Sequence, residues 1–140
     1  MKDITVSSRE NLQNEITYSD DAAVLIADEP VEVGGGGTGP DPYVLLLSAL
    51  GACTSMTLRL YARQKGWPLD RVTVHLSQER VHSTDSADCG TRSDCYIHKI
   101  QRKLVLEGNL TDEQRVRLRE IASRCPIHKT LTSKIVIEDL

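Results

Sequence analysis

The sequence predicts an α+β protein with its elements in the order βββαββαβ. Three observations carry this expectation. Three short alternating runs precede residue 28, an uncharged apolar run spans Pro42 to Leu58, and two longer alternating segments lead into a second helix with a capping signature. A length of 140 residues suits one domain, so residues 1–140 are expected to form a single unit.

The elements follow in order. Ile4-Thr5-Val6 alternates, and so does Glu15-Ile16-Thr17-Tyr18 after a turn region at Asn11 to Asn14. Asp20-Asp21 turns the chain into a third strand, Val24-Leu25-Ile26-Ala27. Gly34-Gly35-Gly36-Gly37 and Gly39-Pro40-Asp41-Pro42 then read as a flexible connection. A long helix is expected from about Tyr43 to Gln64. Pro42 suits its first turn and Gly66-Trp67-Pro68 ends it. Its first four turns are apolar or small on nearly every face, and such a helix must be covered all round. One sheet and one other helix are not enough for that in a chain this short, so a homodimer with this helix near its core is expected.

Val72 to Val81 reads as a strand, with Val72, Val74 and Leu76 on one face. His82 to Asp94 is a polar loop. Tyr96 to Glu107 holds a second long strand, with Ile100, Leu104 and Leu106 aligned. Gly108-Asn109 turns, and Thr111-Asp112-Glu113-Gln114 fits a capping box, in which the hydroxyl bonds forward and the glutamine reaches back. The helix behind it places Leu118, Ile121, Ala122 and Cys125 at i, i+3, i+4 and i+7, so Cys125 is expected to close a buried stripe before Pro126 ends the helix. Lys134 to Glu138 is expected to be a final strand.

A net charge of −3 and a pI near 5.8 argue against nucleic acid or an anionic membrane as the main partner. The apolar run is shorter than the ~20 residues a spanning helix needs, and the start of the chain lacks a basic segment followed by an apolar core. The expectation is a cytoplasmic protein with no membrane partner, its thiols kept reduced.

Four cysteines are present: Cys53, Cys89, Cys95 and Cys125. In a reducing compartment they point to catalysis, redox sensing or metal binding, with small buried hydrophobes as the plainer reading. Cys53 lies mid-helix on a face with Leu46, Ala49, Leu50, Met56, Thr57 and Leu60. The helix N-terminus is too distant to stabilise a thiolate there, and Arg59 is off that face. Any activating cation must come from elsewhere in the fold. Cys125 is inward on its own helix, so the two thiols can meet and cycle through sulfenate and disulfide. His82, Cys89, Cys95 and His98 form an H-x6-C-x5-C-x2-H set of zinc-ligand types, but the spacing matches no standard finger. Under a limiting oxidant that joins Cys53 to Cys125, Cys89 and Cys95 are expected to stay thiols, since nothing in their polar loop marks them as low-pKa groups. Gly34, Gly36 and Gly39 satisfy G-x-G-x-x-G only literally, because Pro40 and Pro42 intervene and no short βαβ unit follows. His75 is placed on the polar side of its strand, and His128 in a loop beside Cys125.

Gly39-Pro40-Asp41-Pro42-Tyr43-Val44-Leu45-Leu46-Leu47-Ser48-Ala49-Leu50-Gly51-Ala52-Cys53 resembles the G-P-x-P-x-x-L-L-x-A-L-x-x-C segment of OsmC/Ohr proteins. Arg124-Cys125-Pro126-Ile127-His128-Lys129-Thr130-Leu131 is similar to the second signature of that family, C-P-[VI]-[HS]-x-x-L. The resemblance runs along essentially the whole chain. It implies an OsmC-like fold assembled as an intertwined homodimer with central helices. It implies Cys53 as a peroxidatic thiol and Cys125 as its resolving partner in the reduction of an organic hydroperoxide. A dithiol reductant, a lipoylated protein in the Ohr branch, would restore both thiols, and no metal or other cofactor is required.

The resemblance departs at one place. The family's Glu ten residues ahead of the reactive cysteine, which helps hold an activating arginine, is Tyr43 here, with Val44 beside it. The family's arginine comes from an N-terminal strand loop, where Arg9 is the matching residue. The alternative reading is a non-catalytic or weakly active dimer that binds a ligand or senses redox state.

Overall fold

A computed structural model describes residues 3–18, 24–82 and 95–140. The chain divides into two compact units, Met1–Ser48 and Ala49–Leu140. The α+β class is observed, with antiparallel sheets and three α-helices.

The first unit is a three-stranded antiparallel meander of β1 (Ile4–Ser8), β2 (Asn14–Tyr18) and β3 (Val24–Ala27), in the order β1-β2-β3. Val6 faces Ile16, and Ile16 faces Leu25, so the alternating apolar residues stack across the ladder. The β1–β2 turn takes Asn11 through φ 54°, a left-handed value that asparagine tolerates. Behind β3 the glycine segment is tied down, not flexible as expected from its composition. Asp28, almost fully buried, accepts hydrogen bonds from the Glu29, Gly36 and Thr38 backbone N–H groups and from the Thr38 hydroxyl at 2.6 Å. A Cβ on Gly39 would fall on the Ile26 carbonyl, and one on Gly35 on the Glu29 carbonyl. The glycines are there because backbone passes against backbone.

The long helix α1 (Pro42–Lys65) begins in the first unit and continues through the second. Its C-terminus closes as expected: Gly66 is left-handed at φ 67°, and Trp67 N–H reaches back to the Ala62 carbonyl. At 24 residues it is long and apolar enough by composition to cross a membrane, where the sequence reading made the apolar run too short. Only Leu50, Thr54, Leu58 and Ala62 are buried. These recur every fourth residue and form one stripe. Tyr43, Val44, Leu46, Met56 and Leu60 stand exposed.

The second unit sets that stripe on a two-stranded antiparallel ladder of β4 (Arg71–His82) and β5 (Tyr96–Glu107). Gly51 permits the close approach, because a Cβ there would meet the Leu76 side chain at 2.9 Å. The third side is α2 (Asp112–Ile121), opened by the expected capping box: Gln114 N–H to Thr111 Oγ1 at 3.1 Å, and Thr111 N–H to Gln114 Oε1 at 3.0 Å. The core joins Leu58, Ala62, Leu69, Leu106, Leu118, Ile121 and Ala122, with Trp67 and Val72 packed against it. Each fully buried leucine contributes roughly 1.5–3 kcal/mol.

Two expectations fail here. The helix bearing Ile121 does not run on to Cys125. It ends at Ile121, passes through a 3-10 turn (Ala122–Arg124), and Cys125 becomes the N-cap of a separate short helix, α3 (Pro126–Leu131). Pro126 is the cause. It bars the residue before it from helical dihedrals, so Cys125 sits at ψ 136°, and it opens the next helix itself. The final strand, Lys134 to Glu138, is also not formed. These residues have no regular secondary structure, and Ile137 is 86% exposed. A β-branched run supplies strand propensity, but a strand needs an edge to pair with. The expected polar loop falls largely on residues 83–94, outside the described residues.

Candidate active site

The site grows from three elements of the second unit. The α1 stripe contributes Thr54, buried, and Cys53, half-buried at the stripe's edge. The buried face of α1 is therefore centred on Thr54, not on the Leu46–Met56–Leu60 face expected from the sequence. Both threonines of this turn bond back to their own helix, Thr54 Oγ1 to the Leu50 carbonyl and Thr57 Oγ1 to the Cys53 carbonyl, each at 2.8 Å.

The break after α2 contributes Cys125, which is 0% exposed. Cys53 and Cys125 are free thiols, close enough that each shifts the ionisation of the other. The two sulfurs that the sequence singled out are thus neighbours. Cys125 Sγ also receives the His128 backbone N–H at 3.2 Å and lies 3.9 Å from the Thr54 hydroxyl.

The sheet contributes Arg102, on β5. Its Nη1 donates to Thr54 Oγ1 at 2.9 Å and to the Ala122 carbonyl at 3.2 Å. Sequence reasoning passed over Arg102 and Thr54. A signal for the arginine was present: period-two alternation puts residue 102 on the same face as Ile100, Leu104 and Leu106, a lone cation in an apolar stripe. Arg59 is engaged elsewhere, donating to the Leu69 and Asp70 carbonyls.

The electrostatics of the two sulfurs differ. Burial pushes the Cys53 thiol up, and the neighbouring Cys125 pushes it further. Burial also opposes ionisation of Cys125, but the hydrogen bonds from the His128 backbone, Cys53 and Thr54 outweigh it and bring that thiol below its ordinary value. Beside Arg102 opens a cavity of about 240 Å³, lined by Leu50, Ile100 and Leu131 with His98, Arg102, His128 and Thr132.

The other sequence candidates have partners of their own. Arg9 belongs to the first unit, where it pairs with Glu15 at 3.4 Å. Cys95 is disulfide-bonded while Cys53 and Cys125 are free; Cys89 lies outside the described residues. Hydropathy patterns carry no information on which sulfurs meet, which is why this was not legible. His82 packs edge-on against Tyr96, and His98 Nδ1 is 2.7 Å from Gln78 Nε2. Among the described residues no cluster of three metal-ligating side chains occurs. His75 is exposed.

The family model for OsmC-like proteins matches residues 34–138. No curated protein sequence matches the chain significantly. Among solved structures, the chain is similar to an OsmC-like protein from Mycoplasma pneumoniae, at 22% identity over 94% of this chain and 86% of that one, with a TM-score of 0.72. It is also similar to an organic hydroperoxide resistance protein from Legionella pneumophila, at 16% identity, 94% and 89% coverage and a TM-score of 0.68. The organic hydroperoxide resistance protein of Bacillus subtilis gives 21% identity, 94% and 90% coverage and a TM-score of 0.61. At these identities the likeness is one of fold.

Proposed function

The chain belongs to the OsmC-like protein family, and from that membership we propose that it is an oxidative-stress protein that reduces organic hydroperoxides through Cys53 and Cys125. The observation that carries this reading is a neighbouring pair of free thiols of unequal exposure. Cys53 is the one a substrate can reach, and Cys125, fully buried behind it, is placed to resolve the product.

The Cys53 thiolate attacks the outer peroxide oxygen. An S–O bond forms, the O–O bond breaks, and the alkoxide leaves and takes up a proton as the alcohol. Cys53 is now a sulfenic acid, oxidised by two electrons. The Cys125 thiolate attacks that sulfur, the S–S bond forms, and hydroxide leaves as water after protonation. An external dithiol, of the lipoyl type, restores both thiols by exchange. The apolar lining of the adjacent cavity favours an organic peroxide over hydrogen peroxide.

A homodimer accompanies this proposal. The exposed Leu46, Met56 and Leu60 of α1 share a helix face that a second copy would cover. A cytoplasmic location suits a dithiol that must be kept reduced. The decisive experiment is consumption of cumene hydroperoxide with dihydrolipoamide as reductant, beside hydrogen peroxide. Turnover that disappears in Cys53→Ser is the expected result. If the wild-type protein does not turn over but its Cys53–Cys125 pair still oxidises, the redox-sensing alternative takes its place.

A further inference from the structure

Arg102 is out of character for its position. It lies half-buried on the inward face of β5 between Ile100 and Leu104, opposite Leu76 of β4, with no salt bridge to a carboxylate among the described residues. A guanidinium in an apolar stripe costs free energy unless its donors are used. Its Nη1 is used on Thr54 Oγ1 and the Ala122 carbonyl. Both acceptors also serve Cys125: the Thr54 hydroxyl faces its sulfur, and the Ala122 carbonyl accepts the Cys125 backbone N–H at 3.5 Å.

The Thr54 hydroxyl has one hydrogen and two acceptors for it, the Leu50 carbonyl at 2.8 Å and Cys125 Sγ at 3.9 Å. By donating to the oxygen, Arg102 occupies a lone pair, so the hydroxyl can offer Cys125 only its hydrogen. A hydroxyl bonded to a cation is also the stronger donor. We infer that Arg102 is the positioning residue that, through the Thr54 hydroxyl, steadies negative charge on the Cys125 sulfur.

This inference deepens the peroxidase reading and rests on it for the steps that follow. Cys125 acts as the base for Cys53. It takes the Cys53 proton as hydroperoxide arrives, and the freed Cys53 thiolate attacks the peroxide. The same proton passes from Cys125 to the departing alkoxide. Cys125, again a thiolate, then closes the disulfide and expels hydroxide. The sum is dithiol monoanion plus hydroperoxide plus one solvent proton, giving disulfide, alcohol and water.

Few other charged groups face the pair. On α1, Arg59 is taken by the Leu69 and Asp70 carbonyls. From α2, Arg115 is taken by those of Leu106 and Gly108. The segment linking α2 to α3 adds Arg124, which is exposed and acts on Tyr61. On β4 the residue opposite Arg102 is Leu76. On α3, His128 meets Cys125 through its backbone N–H and lines the cavity with Arg102, as does His98 from β5.

The test is a pH titration of the reduced protein by thiolate ultraviolet absorbance, on wild type and on Cys53→Ser, in which Cys125 is the only thiol of the pair. In both, Arg102→Met is expected to move the first ionisation up by about one pH unit, and Arg102→Lys to recover part of the shift. First-turnover oxidation at neutral pH should slow by about tenfold in step. Thr54→Val, close in shape, should reproduce the shift, and adding Arg102→Met to it should add nothing. His128→Asn, which keeps the backbone N–H, should leave the titration in place.

An unchanged first ionisation in folded Arg102→Met overturns the inference. If that variant does not fold, an unchanged ionisation in Thr54→Val overturns it equally. A shift of the expected size in a protein that consumes no hydroperoxide leaves Arg102 in its role and removes the peroxidase. Robust turnover with no shift does the reverse.

Discussion

The glycine segment of the first unit and the thiol pair of the second are built alike and end differently. Each dresses a buried anionic group with hydrogen-bond donors. Asp28 takes four, from the Thr38 hydroxyl and the Thr38, Glu29 and Gly36 backbones, all within ten residues of it. The Thr38 hydroxyl has the largest effect, and together the donors hold the carboxyl below its usual range against the opposing effect of burial. Three of these donors are backbone groups of one tight loop, so the charge is settled. Around Cys125 the donors come from α1 and α3, and two of them, the Cys53 thiol and the Thr54 hydroxyl, have hydrogens that can move. The lesson is that donors fixed by their own loop make structure, whereas donors with an exchangeable proton make chemistry.

Breaking the chemical half gives the largest effect. Cys53→Ser should abolish peroxide consumption while leaving the urea midpoint close to wild type, since this half-buried thiol lies at the edge of the α1 stripe. Retention of most of the rate would remove Cys53 from the site.

Cys125→Ser comes next. Cys53 makes the first attack and Cys125 serves there only as its base, so a single turnover should persist at reduced rate, while steady-state turnover with a dithiol is lost. The stranded sulfenic acid should be trapped by dimedone or climb to the sulfinic state, as read by mass spectrometry. In wild type, mild oxidation should yield an intrachain Cys53–Cys125 disulfide in the same peptide map.

Breaking the structural half gives a smaller effect of a different kind. Gly39→Ala drives a methyl onto the Ile26 carbonyl and should destabilise the protein by about 1–3 kcal/mol in urea. Cumene hydroperoxide turnover of the folded fraction should be unchanged.

The smallest effect sharpens the comparison through pH. Asp28 has a folded pKa depressed below its ordinary 3.8, so its stabilising contribution is fully present above that value and is lost as pH falls through the folded one. Asp28→Asn should be less stable than wild type at neutral pH, and the gap should narrow on acidification. Acid unfolding curves of the two proteins that stay parallel would show that the carboxylate's charge is not what holds the loop.

Much of the fold was legible because its signals are local. The Thr111–Gln114 box, the Gly66 stop and the twelve-residue β4 and β5 strands each follow from residues adjacent in sequence. The Pro126 signal was read as a stop, while the same local rule also makes it a start. Lys134 to Glu138 shows the limit of such signals, because propensity names a strand only when another strand is there to receive it.

By itself the sequence determined the class, the order of the elements up to Leu131 apart from the break at Cys125, and the two cysteines worth watching. All three depend on periodicity, capping and turn chemistry within a few residues. Only the tertiary structure decided which face of α1 is inside. That helix is apolar all round, so hydropathy has no direction to point, and packing on β4 and β5 selected the Leu50–Thr54–Leu58–Ala62 stripe. The same packing brought Arg102, forty-eight residues away, onto the Thr54 hydroxyl. A cation's influence depends on distance in space and on what lies between, and neither is written in the spacing of residues along a chain.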